Sequence, residues 1–146
     1  MSTVMQLDAF VPFVEGLDHP EGVAWGPDGY VYAGGEAGQI YRVNLDDGSF
    51  TEIANTGGFV LGLCLDGAGN IYACDHVKHC VYQITPAGHV SVYSSGAPDR
   101  PMLTPNYPVF DAEGNLYVSD SGEWDQANGC LFRVKPGGDT EVIHDS

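Results

Sequence analysis

Apolar residues along this chain fall in short runs with a period of two, and each run ends at a Gly, Asp, Asn or Pro turn. No window carries apolar residues at i, i+3 and i+4 over the roughly ten positions a helix needs. The pattern therefore predicts many short strands, and it recurs. The turn Asp28-Gly29 with the run Tyr30-Val31-Tyr32 returns as Gly69-Asn70-Ile71-Tyr72 and as Gly114-Asn115-Leu116-Tyr117. The anchor glycines are 40 and then 45 residues apart. A second run keeps step as Ile40-Tyr41-Arg42-Val43, Val81-Tyr82-Gln83-Ile84 and Leu131-Phe132-Arg133-Val134. A third closes each unit as Phe50-Thr51-Glu52-Ile53, Val90-Ser91-Val92-Tyr93 and Thr140-Glu141-Val142-Ile143.

Units of about 40–45 residues with four strands are the signature of propeller blades. The expected fold is all-β, with three four-stranded blades over residues 19–55, 60–95 and 105–145 in one half-propeller domain spanning 1–146. An extra N-terminal strand is expected within residues 5–15, around Phe10-Val11-Pro12-Phe13-Val14. The additional residues of the third unit fall in a long hairpin loop at 121–129. Three blades cannot close a ring, since propellers carry about four to eight. Either the chain is part of a longer protein, or two copies meet face to face in a six-bladed homodimer.

Charge narrows the partners. Twenty acidic residues against five Lys and Arg give a net charge of −15. Nucleic acid and anionic membranes are excluded as partners, because both would be repelled. Cations and neutral or cationic small molecules remain. No apolar run approaches the ~20 residues of a membrane span, and Met1-Ser2-Thr3-Val4 opens no export signal. A soluble, cytoplasmic protein is expected, with Cys64, Cys74, Cys80 and Cys130 as reduced thiols.

Equivalent positions of a repeat occupy equivalent places in a ring. Eight residues before each anchor glycine stand Glu21, Leu61 and Asn106, all expected at one mouth of the central channel. A carboxylate and an amide oxygen there suit a hard divalent cation, Ca²⁺ or Mg²⁺ first, with Zn²⁺ as a further option. They equally suit turn capping at strand starts. Asp75 and Asp120, each three residues after a repeat tyrosine, are either polar contacts near a channel end or turn residues. Trp124, between Glu123 and Asp125 in the long loop, is either a substrate wall or a staple on its own blade. Cys74-Asp75-His76-Val77-Lys78-His79-Cys80 offers a zinc-like donor set, but alternation favours a plain hairpin. No Gly-x-Ser-x-Gly elbow supports a serine hydrolase.

His19-Pro20-Glu21-Gly22-Val23-Ala24-Trp25 resembles the opening blade of the gluconolactonase, regucalcin and luciferin-regenerating enzyme family. Thr104-Pro105-Asn106, with the segment Asp111 to Asp120, is similar to that family's Ser-Pro-Asn-Asp motif and following strands. Tyr32-Ala33-Gly34-Gly35-Glu36 through Tyr41 also resembles the wider strictosidine synthase-like superfamily. The resemblance implies a six-bladed propeller with a divalent metal in its channel, hydrolysing lactones or related esters. It implies Glu21 and Asn106 as metal ligands. The candidate catalytic set is Glu21, Asn106 and Asp120, and Tyr107 and Trp124 are candidate substrate contacts. Tyr107 stands where the family has an acidic residue, and the family's remaining ligands belong to later blades. A homodimer would supply two Glu21 and two Asn106 on the twofold axis. A non-catalytic ligand-binding or scaffold propeller, or a truncated inactive relic, are the alternatives.

Overall fold

The computed structural model describes residues 9–145, which form three four-stranded antiparallel sheets in simple meander order. The first holds β1 (Val23–Trp25), β2 (Val31–Gly34), β3 (Gln39–Val43) and β4 (Phe50–Asn55). The second holds β5 (Val60–Leu65), β6 (Ile71–Asp75), β7 (Cys80–Ile84) and β8 (Val90–Ser94). A two-stranded hairpin, β9 (Gly96–Ala97) and β10 (Arg100–Pro101), leads to the third. That sheet holds β11 (Pro105–Phe110), β12 (Leu116–Asp120), β13 (Cys130–Val134) and β14 (Thr140–Asp145). Among the described residues, no helix is long and apolar enough to cross a membrane.

The repeated turns have a common construction. Asp28, Asp66 and Asp111 each accept a backbone N–H two residues on, or four on, at 2.8–3.3 Å. Gly29, Gly69 and Gly114 follow with φ near +84°, a conformation that costs glycine little. Asp66 also accepts from Asn70 Nδ2 and Tyr72 Oη. Burial pulls its carboxyl upward, but these hydrogen bonds outweigh it and hold the group below the ordinary value of 3.8.

Period-two alternation gives every sheet two apolar faces, and the sheets stack through them. Between the first and second lie Tyr32, Ile40, Val60, Leu63, Ile71 and Ile84, all buried. Between the second and third lie Tyr72, Cys74, Val81, Leu116, Val118 and Phe132, with Met102 from the connecting segment wedged among them. The inner strands approach closely only because Gly22 and Gly62 lack side chains. A Cβ on Gly22 would lie 2.8 Å from the Leu61 carbonyl oxygen, and one on Gly62 would lie 2.5 Å from that of Asn106.

Two faces have no sheet against them. On the first sheet Val23 and Trp25 are 62% and 64% exposed, and on the third Val109 is 57% exposed. The outer half of the first sheet's open face is nevertheless covered. Gly48 rests against the Phe13 carbonyl and Val14, Gly16 lies against Phe50, and the Asp18 amide donates to Tyr41 Oη at 3.4 Å. Tyr41 and Phe50 themselves meet edge to face at 5.5 Å. The N-terminal strand expected within 5–15 is therefore corrected: residues 9–15 form no strand, and residues 5–8 lie outside the described ones. Pro12 has no N–H to donate to a ladder, and the run instead passes over Gly48 through Phe13 and Val14.

The close approach at Gly62 can be tested by denaturant unfolding. Gly62→Ala is expected to lose about 1–3 kcal/mol, because its Cβ would meet the backbone of Asn106 and Tyr107 as well as the Tyr107 ring. Gly67→Ala, where a Cβ meets nothing within 4 Å, is expected to stay within about 0.5 kcal/mol of the parent. Equal losses at both positions would contradict the account of the sheet spacing.

Candidate functional site

The three equivalent positions do converge. Glu21, Leu61 and Asn106 line one cleft of about 580 Å³ together with Phe59, His76, Thr104, Ser121, Glu123, Trp124 and Gln126. Local backbone irregularity helps to aim them. The β5–β6 register slips between Val60 and Leu63, and the β11–β12 register slips between Pro105 and Tyr107. Leu61 and Asn106 thus sit in bulges, which turn side chains out of the regular alternation. Glu21 precedes β1 and is exposed.

Asn106 Nδ2 donates to Ser121 Oγ at 3.0 Å. That bond fixes the amide and leaves Oδ1 without a donor among the described residues. Glu21 makes no ion pair among them. No Lys or Arg lines the cleft, whose acids are Glu21 and Glu123. Glu123 is held by Asn128, whose Nδ2 donates to Glu123 Oε2 at 3.2 Å and whose Oδ1 accepts the Glu123 amide at 2.9 Å. Trp124 is fully exposed at the tip of this loop, bordering the cleft rather than stapled to its own sheet.

Asp120 and Tyr107 do not line the cleft. Asp120 is buried, and its carboxylate accepts the amides of Leu103, Thr104 and Gly122 at 2.8–2.9 Å. It clamps the loop before β11 to the β12–β13 hairpin. Asp75 does the same one unit earlier, accepting from Thr56 Oγ1 at 2.6 Å and from the amides of Phe59, Val77 and Lys78 at 3.0–3.1 Å. In the first sheet Gly35 occupies that position, and the clamp comes from the other side: Asp18 accepts from the Ala37 amide and Gln39 Nε2. Tyr107 is half-exposed and closes on Gly62 across the sheet junction.

The Cys74-to-Cys80 stretch is the hairpin that alternation favoured, with Asp75 paired to Cys80. Its four donors diverge. Cys74 lies in the core between the second and third sheets, and His76 stacks edge to face on Phe59 at 5.0 Å in the cleft. His79 reaches the Leu103 carbonyl through Nδ1. Burial pushes the Cys64 thiol up to about 12 and the Cys80 thiol up to about 11, so neither is a ready thiolate. All four cysteines are free thiols. Among the described residues, one set of three acidic or imidazole side chains brings ligand atoms within 4.8 Å: Asp18, His19 and Glu36. His19 Nδ1 is 2.6 Å from Glu36, which ties the loop before β1 to the β2–β3 hairpin beside the Asp18 clamp.

Residues 13–43 match the strictosidine synthase-like N-terminal family. No curated protein matches the sequence. Among solved structures, a gluconolactonase from Xanthomonas campestris superposes with a TM-score of 0.78 at 15% identity, over 91% of this chain and 50% of that one. A candidate gluconolactonase solved by structural genomics gives 0.75 at 19% identity, over 92% and 51%. Virginiamycin B lyase from Staphylococcus aureus gives 0.68 at 17% identity, over 86% and 41%. This is the gluconolactonase-like propeller fold. The chain spans about half the length of the two gluconolactonase-type structures, so its three sheets are one arc of such a ring. Likeness at this level of identity carries the fold and not the chemistry.

Within that gluconolactonase-like arc, sequence reasoning located Glu21, Leu61, Asn106 and Trp124 at the cleft and missed His76, Phe59 and Glu123. Repeat spacing marks strand starts, whereas these three lie in loops and hairpins. The clamp role of Asp120 is testable. Asp120→Asn replaces one acceptor oxygen with a donor facing backbone N–H groups, and is expected to cost about 1–3 kcal/mol in thermal or denaturant unfolding. Unchanged stability would mean that the carboxylate is not structural.

Proposed function

We propose that the cleft is the mouth of a propeller channel that holds a hard divalent cation and hydrolyses a lactone or related ester. The observation supporting this is the convergence of Glu21 and Asn106, with Leu61, from equivalent places in three sheets onto one cleft. A carboxylate and a free amide oxygen are donors that Ca²⁺ or Mg²⁺ prefers, with Zn²⁺ next. When bound, such an ion polarises a carbonyl and lowers the pKa of water.

The chain's own residues have separate parts in this reading. Glu21 would hold the ion, take the proton of the attacking water and return it to the alkoxide oxygen released when the ester C–O bond breaks. Asn106, fixed through Nδ2 by Ser121, would give the ion its free amide oxygen. Phe59, Leu61 and Trp124 give apolar wall against the carbon skeleton, and Gln126 and His76 are polar groups on its rim. The two cleft acids repel anions, so the substrate is a neutral or cationic small molecule. A second copy of the chain would add another Glu21 and Asn106, and two carboxylates balance a 2+ charge. Four free thiols fit a reducing, cytoplasmic setting. A second reading, a binding module without turnover, is favoured by the engagement of Asp120, which leaves that carboxylate no free role as a base.

The test is hydrolysis of a small δ-lactone and an aryl ester, with and without chelator. Activity is expected to vanish on chelation and return with Ca²⁺ or Mg²⁺. Asn106→Ala is expected to lower it by about 100-fold, since even outer partners of a metal site cost about 10–100-fold. Hydrolysis that survives chelation would overturn the metal reading. Binding of a ligand without hydrolysis would establish the second reading instead.

A further inference from the structure

The two junctions inside the chain are built from the same parts. On the face each sheet turns toward its successor stands a tyrosine of its second strand: Tyr32, Tyr72 and Tyr117, spaced like the anchor glycines. Tyr32 donates to Asp28 at 2.8 Å beside Arg42. Tyr72 donates to Asp66 at 3.2 Å and accepts from Gln83 Nε2 at 2.7 Å. On the face each sheet turns back toward its predecessor stands the last residue of its first strand, an apolar one each time: Trp25, Leu65 and Phe110. These are equivalent by register, opposite Val31, Ile71 and Leu116.

In the second junction Tyr72 meets Phe110 edge to face, with ring centroids 4.9 Å apart and planes at 86°. In the first junction Tyr32 and Leu65 belong to one core cluster. The remaining tyrosine and the remaining first-strand residue are Tyr117 and Trp25, on the two open faces. Directly opposite Tyr117 stand Val109 and Arg133, as Arg42 and Gln83 stand opposite Tyr32 and Tyr72, with Leu131 further along the same face; around Trp25 lie Val23 and Val31. The cross-strand pairing puts each set on one face. Apolar faces of this extent are rarely left to water by a monomer.

We propose that the Tyr117 face of one copy docks on the Trp25 face of a second, twice about a twofold axis, so that two chains close one ring. The open faces are of opposite type, one built to meet a successor and one a predecessor, so a copy rotated by half a turn offers what each lacks. The chain covers about half of its gluconolactonase-type neighbours, which makes two copies one full circuit. Residues 13–18 remain in place on closure, because they cover outer strands, where neighbouring sheets splay. Met102 fills the corresponding gap between the second and third sheets. The one departure is at the channel edge. Gly22 and Gly62 lie at the internal junctions, whereas the equivalent residue of the third sheet is Tyr107, so the new junction is wider there. Docking adds to the cleft reading above, and it stands or falls separately from it.

Light scattering on a sizing column measures the outcome directly, at micromolar chain and 0.15 M salt to screen a charge of −15 per copy. The native chain is expected at twice its 15.6 kDa. Trp25→Asp and Tyr117→Asp are each expected to run as monomers with unchanged circular dichroism, since Trp25 is exposed and Tyr117 only partly buried in the single chain. A mixture of the two variants is expected to regain part of the dimer, because one of its two junctions is native on both sides. Leu131→Glu substitutes for Tyr117→Asp should the latter fail to fold. A native monomer, a dimer indifferent to both variants, or a mixture that stays monomeric would each overturn the docking. A dimer that binds no metal would leave docking intact and refute the cleft reading, and a metal-binding monomer would do the reverse.

Discussion

The whole molecule depends on one constraint: a twisted sheet with period-two apolar residues has two faces to bury. In a two-layer sandwich one of those faces could stay polar. Here Tyr32, Ile40 and their successors point one way while Leu63, Ile71 and theirs point the other. Sheets of this kind must stack in series. Glycines at the inner strands and a wedge of Met102 at the outer side set the angle between neighbours. Stacking in series brings equivalent residues to equivalent places about one axis, and that is how Glu21, Leu61 and Asn106 arrive at a common cleft without being close in sequence.

The cleft is held by carboxylates that never reach it. Asp75 and Asp120 each bind the loop before one sheet to the hairpin of that same sheet, using several backbone donors that burial would otherwise leave unpaired. Gly58 leaves the space the Asp75 carboxylate occupies, for a Cβ there would fall 2.1 Å from its oxygens. In the first sheet the same joint is made by Asp18 from the opposite partner, with His19 and Glu36 alongside. The loops that carry Phe59, Thr104 and Ser121 are thereby fixed, and the exposed cleft residues are presented on rigid supports.

The sequence made the architecture legible because the turn chemistry recurs with the strands. Asp-Gly or Gly-Asn turns at 40- and 45-residue spacing are hard to place in any other fold. Equivalence of position carried the reading as far as the cleft. It could not say which way a hairpin carboxylate turns, so Asp120 was expected at the chemistry and stands in the scaffold. It could not reveal His76 either, since its place depends on the loop before β5 bringing Phe59 against it. The run at 10–14 reads as a strand by apolar content alone. Phe13 and Val14 instead rest against Gly48, far along the chain, and nothing local announces that contact.

In a closed ring of two copies, two Glu21 carboxylates balance one 2+ charge, so the ring takes one ion for its two chains. A calorimetric titration of the native protein with Ca²⁺, at a chain concentration well above the dimer dissociation constant, measures that directly. The account predicts one ion bound for every two chains, with binding lost in Glu21→Ala. One ion for each chain, or binding that persists in Glu21→Ala, would contradict it.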